Sequence, residues 1–92
     1  MRLDKFLKLA RLVKRRTVAQ EMIELGAVRI NGRACKSSTE VHENDILEIA
    51  YIAKLLKVKV LCDNEAMLKR RDTVSWQQLE EKSIKPDEKP FL

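Results

Sequence analysis

The apolar pattern of this chain changes period at Gly26, and that change limits the folds open to it. Before Gly26, Leu3, Phe6, Leu7, Ala10 and Val13 recur at i, i+3, i+4, i+7 and i+10, the stripe of an amphipathic helix. Asp4 falls in its first turn, where an anion suits the helix dipole. A second helix is predicted from Thr17, with Val18, Met22 and Leu25 at helical spacing. Thr17 and Gln20 form a capping box at its start, and Gly26 stops it. After Gly26 the period is 2. Val28 and Ile30 alternate with Ala27 and Arg29, Asn31-Gly32 makes a two-residue hairpin turn, and Arg33, Ala34 and Cys35 begin the return strand.

Beyond a loop at Ser37-Ser38-Thr39, Glu43-Asn44-Asp45 makes a turn before a strand from Ile46 to Ile49. Leu56, Val58 and Val60 alternate with Lys57 and Lys59, which predicts a further strand with one charged face. Asp63-Asn64 breaks it. A short helix is expected from Val74 to Lys82, with Trp76 and Leu79 on one side to dock it against the sheet or against a protein partner. Lys85 to Leu92 carries both prolines and is expected to be mobile. The fold class is therefore α+β: two N-terminal helices on a small, mainly antiparallel sheet. Residues 1–62 form the domain, and residues 63–92 form a partly helical, partly mobile extension.

The charge is placed as unevenly as the periods. Residues 1–16 hold seven cations (Arg2, Lys5, Lys8, Arg11, Lys14, Arg15, Arg16) against Asp4, a net +6, whereas the whole chain is +5. The positive field thus comes from one segment, which is the footprint of a polyanion partner. Lys14, Arg15 and Arg16 stand at the joint of the two predicted helices, where they repel one another. Phosphates relieve that repulsion, and the start of the second helix adds free N–H groups beside them. Arginine suits the task because its fork binds phosphate with two hydrogen bonds. Only Phe6, Tyr51, Trp76 and Phe91 are aromatic, and Phe6 lies on the core stripe. With so few rings to stack on single-stranded bases, the chain is expected to read the shape and backbone of folded RNA.

Other classes fit less well. A helix-turn-helix DNA reader would expose base-reading side chains on its second helix. Here that helix offers Gln20, Glu21 and Glu24, two of which repel a duplex. No Gly-rich phosphate loop or HExxH occurs, and His42 is the one histidine, so no catalytic residues are assigned and the chain is not expected to be an enzyme. Cys35, His42 and Cys62 lack the close paired spacing of zinc ligands, so neither a metal nor a cofactor is expected. No run of about 18 apolar residues exists to span a membrane. The N-terminus is not patterned as a secretory signal, and two cysteines make no disulfide framework, which places the chain in the reducing cytoplasm.

The order helix, basic joint, helix, Gly, strand, Asn-Gly, strand, turn, strand resembles the S4-like RNA-binding domain family over about residues 1–50. The matching residues are "RLDKFL", then "KRRTVAQEMIELGAVRINGR", then a polar loop and an aspartate before an apolar strand. Among small free-standing members the chain most resembles the RqcP family, through "MRLDKFLK" and "KRRT", and it is similar to the related 15-kDa heat-shock protein family. The resemblance implies a two-helix RNA-binding face beside a small sheet. Arg15, Arg16 and Thr17 match the positions that meet structured RNA, and Arg2 and Asp4 match the N-terminal end of the same face. With Lys5, Lys8, Arg11 and Lys14 from the charge pattern, these make the candidate site.

The resemblance further implies a role in ribosome-associated quality control. The partners would be the large ribosomal subunit, its rRNA, peptidyl-tRNA and a factor that tails stalled nascent chains. Off the ribosome the protein is expected to be a monomer. The heat-shock relatives imply an alternative, rescue of obstructed subunits by repositioning the tRNA, and a constitutive ribosomal protein is a further one. Many family members have Pro-Gly where this chain has Glu43-Asn44. At the joint, Arg16→Ala is expected to weaken binding without unfolding, and Thr17→Ala to remove about 1 kcal/mol of stability by loss of the cap.

Overall fold

The computed structural model describes residues 1–85. Its elements are α1 (Leu3–Leu9), α2 (Arg16–Glu24), β1 (Val28–Ile30), β2 (Arg33–Ala34), β3 (Ile46–Ala50), β4 (Lys54–Val60), α3 (Glu65–Leu68) and β5 (Trp76–Ser83). The five strands form one antiparallel sheet in the order β2-β1-β3-β4-β5. The helices cover one face of it.

The predicted stripe of the first helix is the heart of the core. Leu3, Phe6, Leu7, Ala10 and Val13 are all buried, together with Val28, Ile30, Leu47, Ile49, Leu56, Val58 and Val60 from the sheet. Complete burial of a side chain such as Phe6 stabilises by about 2–3 kcal/mol. The stripe outlasts its helix, because α1 ends at Leu9 while Val13 stays inside. The backbone N–H groups of Leu12 and Val13 both donate to the Leu7 carbonyl, at 3.0 and 3.1 Å, and fold the chain back over the core.

The second helix has a different phase from the expected one. Ala19 and Ile23 face the core, whereas Val18 is partly exposed and Leu25 is 85% exposed. The capping box does not form. The N-cap is Arg15, no side chain caps the helix, and Gln20 donates instead to Asp4. The stop is as expected. Gly26 takes φ +78°, its N–H donates to the Ile23 carbonyl, and the Ala27 N–H donates to the Met22 carbonyl, a Schellman closure that a left-handed residue permits.

The hairpin also forms as expected. Asn31 and Gly32 have φ +51° and +77°, and β1 pairs with β2 through Ile30↔Arg33. Cys35 lies just past β2, and its thiol donates to the Val28 carbonyl at 3.3 Å. Burial pushes that thiol's pKa up. The Asn31 side chain then staples this turn to the next one. It donates to Asp45 at 3.1 Å and accepts from the Ile46 N–H at 2.9 Å. In that second turn Asn44 has φ +75°, so it fills the left-handed place that glycine takes in a Pro-Gly turn.

The segment from Val74 to Lys82 is not helical; it forms strand β5 along the edge of β4. A register shift, with Lys57 opposite Glu80 but Val58 opposite Gln78, leaves Leu79 as the extra residue of a bulge. The three-residue spacing of Trp76 and Leu79 thus belongs to a bulged strand and not to a helix. Trp76 packs on the core, while Leu79 is largely solvent-facing. On the sheet face away from the helices, Arg29, Glu48, Lys57 and Glu80 stand opposite one another across four strands. Such alternating pairs contribute roughly 0.2–1 kcal/mol each and recruit the fifth strand. Of the C-terminal segment expected to be mobile, residues 86–92 lie outside the described residues.

Candidate nucleic-acid interface

Asp4 organises the basic face from beneath. It is fully buried, although its neighbours on the face are cations. Its carboxylate accepts from Gln20 Nε2 at 2.9 Å, from Arg16 Nε at 3.2 Å, from the Lys5 N–H at 2.8 Å and from Arg2 Nε at 3.3 Å. Burial alone would raise its pKa. The hydrogen bonds from Gln20, Arg16, the Lys5 backbone and Arg2 overcome that and hold the carboxyl below the usual carboxylate range. Asp4 is therefore turned inward, beneath the cations rather than among them. It fixes where Arg2 and Arg16 point, and it sets the phase of α2 by drawing Arg16 and Gln20, one helical turn apart, to one side.

The joint between α1 and α2 is held just as firmly. Ala10 closes α1, and Arg11 takes the left-handed conformation with φ +62°. The Arg11 N–H donates to the Lys8 carbonyl and the Leu12 N–H to the Leu7 carbonyl, the same closure that Gly26 gives α2. An arginine held there is strained by about 1–2 kcal/mol, and strain of this kind collects at functional sites. Two aromatic side chains reach across from the sheet to pin the turn. The Tyr51 hydroxyl donates to the Leu12 carbonyl at 2.7 Å, and the Trp76 indole donates to the Ala10 carbonyl at 3.0 Å.

The candidate cations divide by partner. Arg2 and Arg16 are tied to Asp4, and Lys5 pairs with Glu65 of α3. Lys8, Arg11, Lys14 and Arg15 are exposed, and among the described residues none of their side chains has a hydrogen-bond or ion-pair partner. Thr17 is exposed beside them and caps nothing, so the first N–H groups of α2 are open to an anion. The structure thus gathers four unneutralised cations and an uncapped helix end at one pinned turn. Sequence reasoning missed Gln20, Tyr51 and Trp76 as positioning residues. In a chain with so few aromatics, a lone Tyr and a lone Trp carrying polar handles were the available signal. Among the described residues no group of three or more His, Cys, Asp or Glu side chains is placed to hold a metal ion, and no helix is long and apolar enough to cross a membrane.

Two substitutions separate the roles. Thr17→Ala is expected to change stability by no more than about 0.5 kcal/mol, because the expected cap bond is not made. Arg16→Ala is expected to lower stability by about 1–3 kcal/mol as well as weaken RNA binding, because it strips a charged hydrogen bond from buried Asp4. Thermal melting of the two variants against the parent chain checks both. The reverse order would show that the start of α2 is held by a cap at Thr17.

Comparison with known proteins places this geometry. The S4 domain family model matches residues 1–47. The RQC P-site tRNA stabilizing factor of Streptococcus pneumoniae is 54% identical over 61 residues, which is 66% of this chain and 69% of that one. The factor of the same name from Halalkalibacterium halodurans is 40% identical over 88 residues, covering 96% of this chain and all of that one. The trimeric structure of Heat Shock Protein 15 from Vibrio cholerae shares the fold, with a TM-score of 0.73 at 24% identity over 86% of this chain and 81% of that one. The chain belongs to the S4 domain family and, within it, to the family of the RQC P-site tRNA stabilizing factors.

Proposed function

We propose that this protein is a non-enzymatic RNA-binding factor. It binds large ribosomal subunits obstructed by peptidyl-tRNA and steadies that tRNA while a partner extends the stalled chain. The observation that carries the reading is the pinned joint: Lys8, Arg11, Lys14 and Arg15 face solvent unpaired beside the open end of α2. The names of its relatives, which specify tRNA in the P site, support tRNA as the polyanion. Such a role belongs in the cytoplasm.

The mechanism is positional. Arg2, Lys5 and Arg16, oriented by Asp4 and Glu65, and the free cations of the joint contact phosphates of tRNA and large-subunit rRNA together. Residues 1–62 carry these contacts. The chain makes and breaks no covalent bond. Differential binding of a few kcal/mol is enough to shift a tRNA between two sites almost completely. The protein acts as a monomer off the ribosome, and the tailing factor acts on the complex it stabilises.

Deleting the gene and examining stalled nascent chains tests the reading. Loss of untemplated C-terminal tails is expected. Intact tails with accumulated obstructed subunits would favour tRNA repositioning, the alternative drawn from the heat-shock relatives.

A further inference from the structure

The tripeptide Lys-Arg-Arg occurs twice, at 14–16 in the joint and at 69–71 just after α3. The fold brings the second copy beside the first helix. Glu65 of α3 pairs with Lys5 of α1 and also with Lys69, whose Nζ lies 3.6 Å away. Lys5 draws the Glu65 carboxyl below its usual range, with Lys69 adding to the effect. On α1, Lys8 stands one turn from both Asp4 and Lys5, so its exposed ridge lies between the Asp4 network of α2 and the Glu65 contact of α3. Cations thus run from Arg15 and Arg16, by Arg2, Lys8 and Lys5, to Lys69, with the Glu65 carboxylate bridging the last two. Arg70 and Arg71 extend this band. Both are exposed, and among the described residues neither is in an ion pair, although Arg70 lines a cleft with Glu43, Asp63 and Asp72. The turn that carries them is tied down, since the Thr73 hydroxyl donates to the Met67 carbonyl at 2.6 Å and the Arg70 N–H to the same carbonyl at 3.0 Å.

We propose that Lys69, Arg70 and Arg71 form a second phosphate-binding patch, linked to the first across α1, and that the protein grips the RNA backbone at both ends of this band. The proposal rests on the RNA-binding reading above and adds a contact segment outside residues 1–62. The ligand chemistry is that of backbone phosphates on folded RNA: three exposed cations sit on a fixed turn, and among the described residues no exposed aromatic ring lies in that turn for a base to stack on.

The test is the affinity of the full chain for purified large subunits carrying peptidyl-tRNA, measured over a range of salt. For Lys69→Gln/Arg70→Gln/Arg71→Gln the expected result is about a tenfold or greater loss at low salt. The slope of log affinity on log salt should also become shallower by about two to three, since each phosphate contact contributes slightly less than one. Arg71→Gln alone should lose about two- to threefold. Lys57→Gln/Lys59→Gln, on the sheet face away from the helices, should leave the slope nearly unchanged. If the triple variant keeps both affinity and slope while reversal of charge at Lys14 and Arg15 abolishes binding, the second patch is a solvated surface and the functional reading stands. If the parent chain itself has no affinity for these subunits, both fall.

Discussion

Asp4→Ala is expected to destabilise the domain by about 2–4 kcal/mol, the scale of losing several hydrogen bonds to a charged group. In a domain of this size that lowers the melting temperature by roughly 10–25 °C. The loss has two sources. Gln20 Nε2 and the Lys5 N–H lose their acceptor, and Arg2 and Arg16 are left facing each other without the anion between them. Asp4→Asn should do nearly as badly, because its amide turns donors toward donors. The same network predicts the acid side of the stability curve. The folded carboxyl titrates below its unfolded value, so its contribution is fully present above the unfolded pKa and is lost as pH falls through the folded one. The parent chain should therefore lose stability in that acid range, and Asp4→Asn should lose less of it there. A variant as stable as the parent, with the same acid limb, would remove Asp4 from its organising place.

The second large effect is on binding alone. Lys14→Glu/Arg15→Glu should weaken association with large subunits by a hundredfold or more, since each charge-assisted contact is worth about 1–3 kcal/mol and reversal adds repulsion. Stability should change little or rise slightly, because neither side chain has a partner among the described residues and the pair repels its neighbours in the free protein. Binding by the parent chain should also fall steeply with salt, as counterion release requires. Pelleting the subunits at rising salt measures both. Retention that ignores salt and survives the reversal would point to an apolar protein–protein contact.

Much of this was legible in the sequence because periodicity reports burial directly. The stripe from Leu3 to Val13, the Asn31-Gly32 turn and the alternation through Val60 each depend on local spacing; the turn and the alternation form as read, and the stripe is buried as read although its helix stops at Leu9. The failures come from partners distant in the chain. Thr17 and Gln20 have the spacing of a capping box, but a buried carboxylate 16 residues before Gln20 accepts from its amide N–H and draws the side chain away from the helix end. The phase of α2 follows from that choice. Trp76 and Leu79 have helical spacing, but the open edge of β4, with Lys54 and Lys57 facing Glu81 and Glu80, draws the segment into a bulged strand. Intrinsic preference yields to such pairing.

The candidate site divides in the same way. The concentration of charge in residues 1–16 was plain from composition along the chain. Which cations are committed to Asp4 and Glu65, and which are free, depends on burial and on α3, which no local pattern reveals. Nor could spacing show that Arg11 closes α1 in a left-handed turn pinned by Tyr51 and Trp76.

On the proposed function, this face joins the large subunit and peptidyl-tRNA in one complex. The measurement that bears on it most directly is retention of the full chain on two preparations of large subunits, one empty and one carrying peptidyl-tRNA, at the same near-physiological salt. Retention on the obstructed subunits is expected to be at least tenfold above that on the empty ones, and the difference is expected to vanish in Lys14→Glu/Arg15→Glu. Equal retention on both preparations would contradict the proposed function and make the protein a constitutive component of the large subunit.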